Sequence, residues 1–184
     1  MFLGASQNNI LMYKFISLLI GLALLSSCNL SNKRDLYLKY MSYNSEFQER
    51  KIIIPPDVYR IYGSPKSSDK IIIKLINTEC VSCFKDMIVW VSFLRENKNY
   101  KDVRVIMLAA GEANDYFQSE IIKQQYPFEI WMDTTKDFLK LNKLPGEFQF
   151  ATFMINSDSL SVMLGSPIVN ETIKGIYDYL IDTK

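Results

Sequence analysis

Ile71-Ile72-Ile73-Lys74-Leu75-Ile76 is followed within four residues by Cys80-Val81-Ser82-Cys83, and Phe84, Met87, Ile88, Val91 and Leu94 then recur at helical spacing. This succession leaves a chain few choices. Polar Ser67-Ser68-Asp69-Lys70 on one side and Asn77-Thr78 on the other bound the isoleucine run. Near-continuous β-branched residues of this length predict a central strand buried on both faces. The helix after it should turn Lys85, Asp86, Ser92 and Arg95 away from the core. Two cysteines three apart therefore fall at a strand-to-helix junction.

The same alternation continues downstream. Val103 to Leu108 predicts a second strand, Glu112 to Gln125 a second helix with Phe117 and Ile121 inward, and Phe128 to Met132 a third strand. Asp133 or Thr134 can cap a short helix running through Leu141. Beyond Pro145 the rhythm changes. Ala151 to Ile155 and Leu160 to Leu164 are strand-like and joined by Asn156-Ser157-Asp158-Ser159, a hairpin connection. Ile173, Ile176, Tyr177, Leu180 and Ile181 form the stripe of a last helix, with Asn170 as N-cap and Pro167 just ahead. Asn170-Glu171-Thr172 also matches a glycosylation sequon, but capping explains it better. The expected fold class is α/β, a central mixed sheet flanked by helices with a C-terminal β-hairpin and helix.

Upstream, Leu36 to Tyr62 contains Lys51-Ile52-Ile53-Ile54-Pro55-Pro56, read as an extra edge strand or an ordered arm; the two prolines forbid a central strand. Tyr37, Tyr40 and Tyr43 are three apart and suit packing of this arm onto the domain.

The N-terminus reads as an address. Lys14 precedes an apolar run from Phe15 to Leu25, then Ser26, Ser27 and Cys28. About a dozen apolar residues are too few to span a bilayer and match a secretory signal peptide. Met12 is a possible true start. Leu25-Ser26-Ser27-Cys28 resembles the bacterial lipobox, which implies lipid attachment at Cys28; an ordinary signal peptide or a short buried helix are the other readings. By the same resemblance Asn29, in place of Asp, favours the outer membrane, facing the periplasm.

Composition narrows the chemistry. Loss of the leader removes Lys14 and leaves 20 basic and 20 acidic residues, a balance that argues against a nucleic-acid partner. There is no histidine, which removes Ser-His-Asp and Cys-His catalysis and His-ligated metals. Tyr and Phe, 11 of each, are scattered at core spacings. Asp133, Asp137, Glu112 and Glu120 read as solvated helix ends before an acid–base pair. Of three cysteines, lipid at Cys28 leaves Cys80 and Cys83. At a helix N-terminus, unpaired N–H groups and the helix dipole favour a thiolate at Cys80, and Cys83, almost one turn on, lies within disulfide reach. Cys80 is expected exposed and Cys83 buried. A zinc site lacks enough ligands, so no metal is expected. A static disulfide would close too small a loop to restrict the unfolded chain much.

Lys70 to Ile181 resembles the thioredoxin superfamily, nearest to envelope-anchored thiol–disulfide oxidoreductases related to alkyl hydroperoxide reductase and thiol-specific antioxidant domains. The resemblance rests on Ile71 to Ile76, Cys80-Val81-Ser82-Cys83, Trp90 and the hairpin strand Thr152-Phe153-Met154-Ile155-Asn156. It implies Cys80 as nucleophile, Cys83 as resolving thiol, no bound cofactor, and envelope proteins as partners through mixed disulfides. The peroxiredoxin pattern fits less well, because Asn77 stands three residues before Cys80 where that pattern has Thr or Ser. The layout would be a lipoprotein signal peptide over 1–27, a lipidated tether over 28–35, an arm or extra strands over 36–69, and a thioredoxin-like domain over 70–184. Two departures bear on activity. Glu79 replaces the aromatic residue usual before the first cysteine and is expected to raise the Cys80 pKa. Phe150-Ala151 replaces the usual Thr-Pro, which alters the substrate-docking edge. The alternative is a thioredoxin-fold binding or scaffold module whose dithiol is structural or vestigial.

Overall fold

In a computed structural model that describes residues 34–40, 45–144 and 151–183, the isoleucine run lies inside a sheet, as its composition demands. Among the described residues six strands form one sheet: β1 (Tyr59–Tyr62), β2 (Lys70–Asn77), β3 (Arg104–Ala110), β4 (Glu129–Asp133), β5 (Thr152–Asn156) and β6 (Ser161–Leu164). Their order is β1-β4-β3-β2-β5-β6. β2 runs parallel to β3, from Ile71 opposite Arg104 to Asn77 opposite Ala110, and β3 runs parallel to β4. On its other side β2 meets β5 antiparallel, with Lys74 opposite Thr152, and β5 turns back antiparallel into β6. The mixed sheet, its flanking helices and the terminal hairpin are the architecture expected from the sequence.

The helices are α1 (residues 34–40), α2 (Val81–Glu96), α3 (Asp115–Lys123), α4 (Asp137–Asn142) and α5 (Glu171–Asp182). Strand alternation sorts the core into two layers. Ile72 and Ile76 join Met107, Ile130 and Met154 under α2, α3 and α5, whereas Ile73, Ile106, Leu108 and Phe153 face α4 and the N-terminal arm. Two caps act as anticipated or nearly so. Asn170 Oδ1 accepts the Thr172 and Ile173 N–H groups at the start of α5. Asp133, buried rather than solvated, accepts the N–H groups of Asp137 and Phe138 across the start of α4.

Three expectations need correction. The second helix starts at Asp115, not Glu112, because Asn114 takes the Phe117 N–H and sets its first turn. Ile88 lies outside the buried stripe of α2 at 48% exposure; Trp90 and Phe93, with Cys83, complete that stripe instead. The upstream segment is both arm and edge strand, at different places. Its first part follows β6, with Ser161 donating to the Arg50 carbonyl and Ile52 to Ser159, and buries Phe47 and Ile52. The edge strand is β1, antiparallel to β4 on the opposite edge of the sheet. Residues Tyr37 and Tyr40 pack as anticipated: the Tyr37 ring meets Tyr179 at 5.9 Å, and the Tyr40 hydroxyl donates to the Leu164 carbonyl. Tyr43 and Pro145 lie outside the described residues. Among those residues no helix is long and apolar enough to cross a membrane.

Candidate functional site

The dithiol sits where β2 ends and α2 begins. Asn77 makes the turn: its carbonyl accepts the Cys80 N–H at 3.1 Å and its side-chain oxygen accepts the Glu79 N–H at 2.9 Å. Behind that turn Thr78 is buried and donates its N–H to the Ala110 carbonyl. Gly111 closes over it at φ +113°, and a Cβ there would lie 2.7 Å from the Thr78 hydroxyl oxygen, so this loop requires glycine. Cys80 is thereby fixed as the N-cap of α2 in an extended conformation.

The two sulfurs are unbonded thiols in unlike settings. Cys80 is partly exposed; Cys83 is buried, 7% exposed. A hydrogen bond from the Cys83 thiol, then one from the Ser82 hydroxyl at 3.0 Å, hold the Cys80 pKa below its ordinary value against the opposing effect of burial. Backbone N–H groups of Ser82 and Cys83 at the open start of α2 add to this. Burial pushes Cys83 the other way, up to about 11, and its role as donor to Cys80 reinforces the shift. The two thiols thus differ both in exposure and in the direction of their shift. The expectation that Glu79 would raise the Cys80 pKa is overturned: Glu79 is exposed, and the sulfur's own hydrogen bonds decide the direction.

A groove of about 420 Å³ runs beside the thiols, lined by Asn77, Cys80, Cys83, Asp133, Lys136 and Ala151 among others. Three of the sequence-selected residues, Cys80, Cys83 and Ala151, therefore line one groove. The Ala151 carbonyl accepts the Leu75 N–H at 2.6 Å, which extends the β2–β5 ladder to the groove edge. Cys28 and Phe150 lie outside the described residues. Glu120 and Asp137 pair with Lys123 and Lys140 on their own helices, and Glu112 is exposed in the loop ahead of α3.

No protein-family model matches the chain, and no curated protein matches it. Solved structures do. A candidate thiol–disulfide oxidoreductase from Bacteroides vulgatus superposes with a TM-score of 0.51 at 15% identity, covering 71% of this chain and 94% of that one. The fold is thioredoxin-like. Two further structures align over comparable spans: a protein described as thiol:disulfide interchange protein DsbE from Chlorobium tepidum (TM-score 0.49, 11% identity, 73% of this chain and 95% of that one) and StoA from Bacillus subtilis (TM-score 0.45, 15% identity, 68% and 98%).

Within this thioredoxin-like frame one nearby group escaped sequence reasoning. Lys74, in the middle of β2, is only 4% exposed, and its Nζ stands 3.6 Å from Asp86 Oδ2 on α2. The signal was available. A lysine inside a strand read as buried on both faces must itself be buried, and a buried ammonium needs a carboxylate partner. Among the described residues no three Cys, Asp or Glu converge as a metal-ligand set.

Proposed function

We propose that this chain is a thiol–disulfide exchange protein of the bacterial cell envelope, with Cys80 as nucleophile and Cys83 as resolving thiol. The observation that carries the reading is the asymmetry of the pair: a partly exposed Cys80 of lowered pKa at a helix start, hydrogen-bonded by a buried Cys83 raised to about 11. In the reduced protein the Cys80 thiolate attacks one sulfur of a partner's disulfide. A Cys80–partner bond forms, the partner's S–S bond breaks, and its second sulfur leaves as a thiolate that takes a proton. Cys83 then gives up its proton and attacks Cys80 Sγ. The Cys80–Cys83 bond forms, the mixed disulfide breaks, and two electrons have passed to the partner. The same steps in reverse oxidise a partner dithiol. The groove beside the thiols gives a partner segment a place to lie while the mixed disulfide exists.

The envelope setting rests on Lys14 to Cys28, read as a signal sequence with lipid attachment at Cys28, which places the dithiol where disulfides persist. The test is capture in cells. With Cys83→Ser the resolving step is lost, and partner proteins should accumulate as reducible adducts on Cys80, whereas Cys80→Ala should capture none. Insulin reduction with dithiothreitol provides the catalytic readout. Equal rates for the parent and Cys80→Ala, with no adducts on Cys83→Ser, would establish the scaffold module in place of the enzyme.

A further inference from the structure

The exchange steps leave unused the buried charge behind the dithiol. Lys74 lies six residues before Cys80 on β2 and shares the helix-covered face with Ile72 and Ile76. Asp86 stands on α2 three residues beyond Cys83, so the pair bridges the strand that leads into the dithiol and the helix that carries it. Their side chains are 5% and 36% exposed, and with Trp90, Thr152 and Ser166 they line a cavity of about 200 Å³. Taking an ammonium this far from water costs several kcal/mol before pairing, and an apolar residue of similar size fills such a place without that penalty. Space-filling therefore does not account for a lysine here.

We propose that Lys74 is the positioning charge of the dithiol: its ammonium stabilises the thiolate that Cys83 must form in the resolving step, and Asp86 moderates how much of that charge the sulfur feels. The proposal rests on Cys83 being the resolving thiol. Lys74 keeps its proton throughout. Cys83 loses its own proton to solvent, its electron pair makes the bond to Cys80 Sγ, and the partner sulfur departs as a thiolate.

The electrostatics agree with this geometry. Burial lowers the Lys74 pKa, Asp86 raises it, and both cysteine sulfurs raise it further, Cys83 more than Cys80. The interaction is mutual, so a charged Lys74 favours a charged Cys83. Asp86 acts on Cys83 in the opposite sense and pushes it up. The titratable groups around Cys83 are Cys80 and Asp86 on α2, Lys74 on β2, and Asp133 and Lys136 across the groove; the Asp133 carboxylate is engaged by the N–H groups of α4.

The test uses the full chain carrying Cys80→Ser, so that Cys83 is the reporting thiol and its peptide is followed by mass spectrometry. The rate of iodoacetamide alkylation at Cys83 is measured against pH. Lys74→Met should slow the reaction about tenfold at a fixed pH near neutrality, where Lys74 carries its proton. Asp86→Asn should speed it and move the midpoint down, and Lys74→Arg should restore the parent profile in large part. Opposite shifts from the two halves of one ion pair are not what loosened packing produces. Shifts in the same direction, or changes under about twofold in both, would overturn the proposal. Should Lys74→Met fail to fold, Lys74→Gln takes its place, with the same slowing expected and an unchanged rate overturning the proposal. Because the readout is thiol titration, it stands apart from the capture of partners: either result can fail without the other.

Discussion

On opposite faces of the sheet the protein buries two charged clusters, and it builds them differently. At the start of β3 and β4, Glu129 is 3% exposed and fully engaged. Arg104 grips it with two hydrogen bonds of 2.7 and 3.0 Å, the Trp131 indole N–H donates at 2.9 Å, and Arg60 stands at 3.8 Å. The Arg104 guanidinium also lies 5.5 Å from the centre of the Trp131 ring. Burial pushes the Glu129 pKa up, but these donors outweigh it and hold the carboxyl below its ordinary value. On the other face Lys74 meets Asp86 at 3.6 Å, and burial has the larger say, lowering the lysine pKa. The first cluster is a bidentate, geometrically fixed lock on the sheet. The second is a looser pair beside two thiols, whose charges respond to one another. Rigid charge lies where strands begin, and the looser pair lies between the strand that leads into the dithiol and the helix that follows it.

This contrast predicts a separation of effects. The largest is chemical: Cys80→Ala should reduce insulin-reduction activity to the uncatalysed rate while leaving unfolding free energy within about 1 kcal/mol of the parent, since the side chain is partly exposed. Loss of activity together with stability would break the comparison. Next comes the lock. Glu129→Gln should cost about 3 kcal/mol in urea unfolding, because Arg104 and Trp131 lose a charged partner in a buried site. It should leave both thiol titrations in place. Glu129 has a folded-state pKa below its unfolded one, so its contribution is complete above the ordinary carboxylate range and fades as pH falls through the folded value. The stability gap between parent and variant should accordingly close in acid and stay constant from about pH 6 upward. A smaller effect calibrates the scale: Asn170→Ala removes the α5 cap and should cost about 1 kcal/mol, with the thiols again unmoved. The smallest is Glu79→Gln. Glu79 is exposed, and its replacement should change the rate of Cys80 alkylation by less than about twofold at ordinary salt. A tenfold rise would restore the carboxylate beside Cys80 as its controlling group.

The elements that sequence made legible are those whose local signals agree. In β2 the β-branched run, in α5 the Asn170 cap and its apolar stripe, and in the β5–β6 hairpin the Asn156–Ser159 turn each point one way. Signals that compete were misread. Ile88 is apolar and four residues from Phe84, yet the stripe is completed by Cys83, Trp90 and Phe93, which turns it outward. β1 carries almost no hydrophobic signature because three of its four residues are exposed, whereas the more apolar Lys51–Ile54 stretch forms an arm. At the site, spacing was enough to place Cys80 and Cys83 and to forecast which would be buried. The reversal at Glu79 was not legible, because a carboxylate adjacent in sequence points into solvent while a hydroxyl two residues on reaches the sulfur. Lys74 required reasoning from the burial of its neighbours rather than from its own identity.

The difference between the two sulfurs is tested most directly by titrating both in the reduced full chain, with alkylation at each cysteine resolved by peptide mass spectrometry from pH 5 upward. The account predicts that Cys80 reacts first, with a midpoint below that of an ordinary thiol, and that Cys83 stays largely unmodified until the pH approaches about 11. Two cysteines that titrate together near the ordinary thiol value, or Cys83 reacting ahead of Cys80, would contradict it.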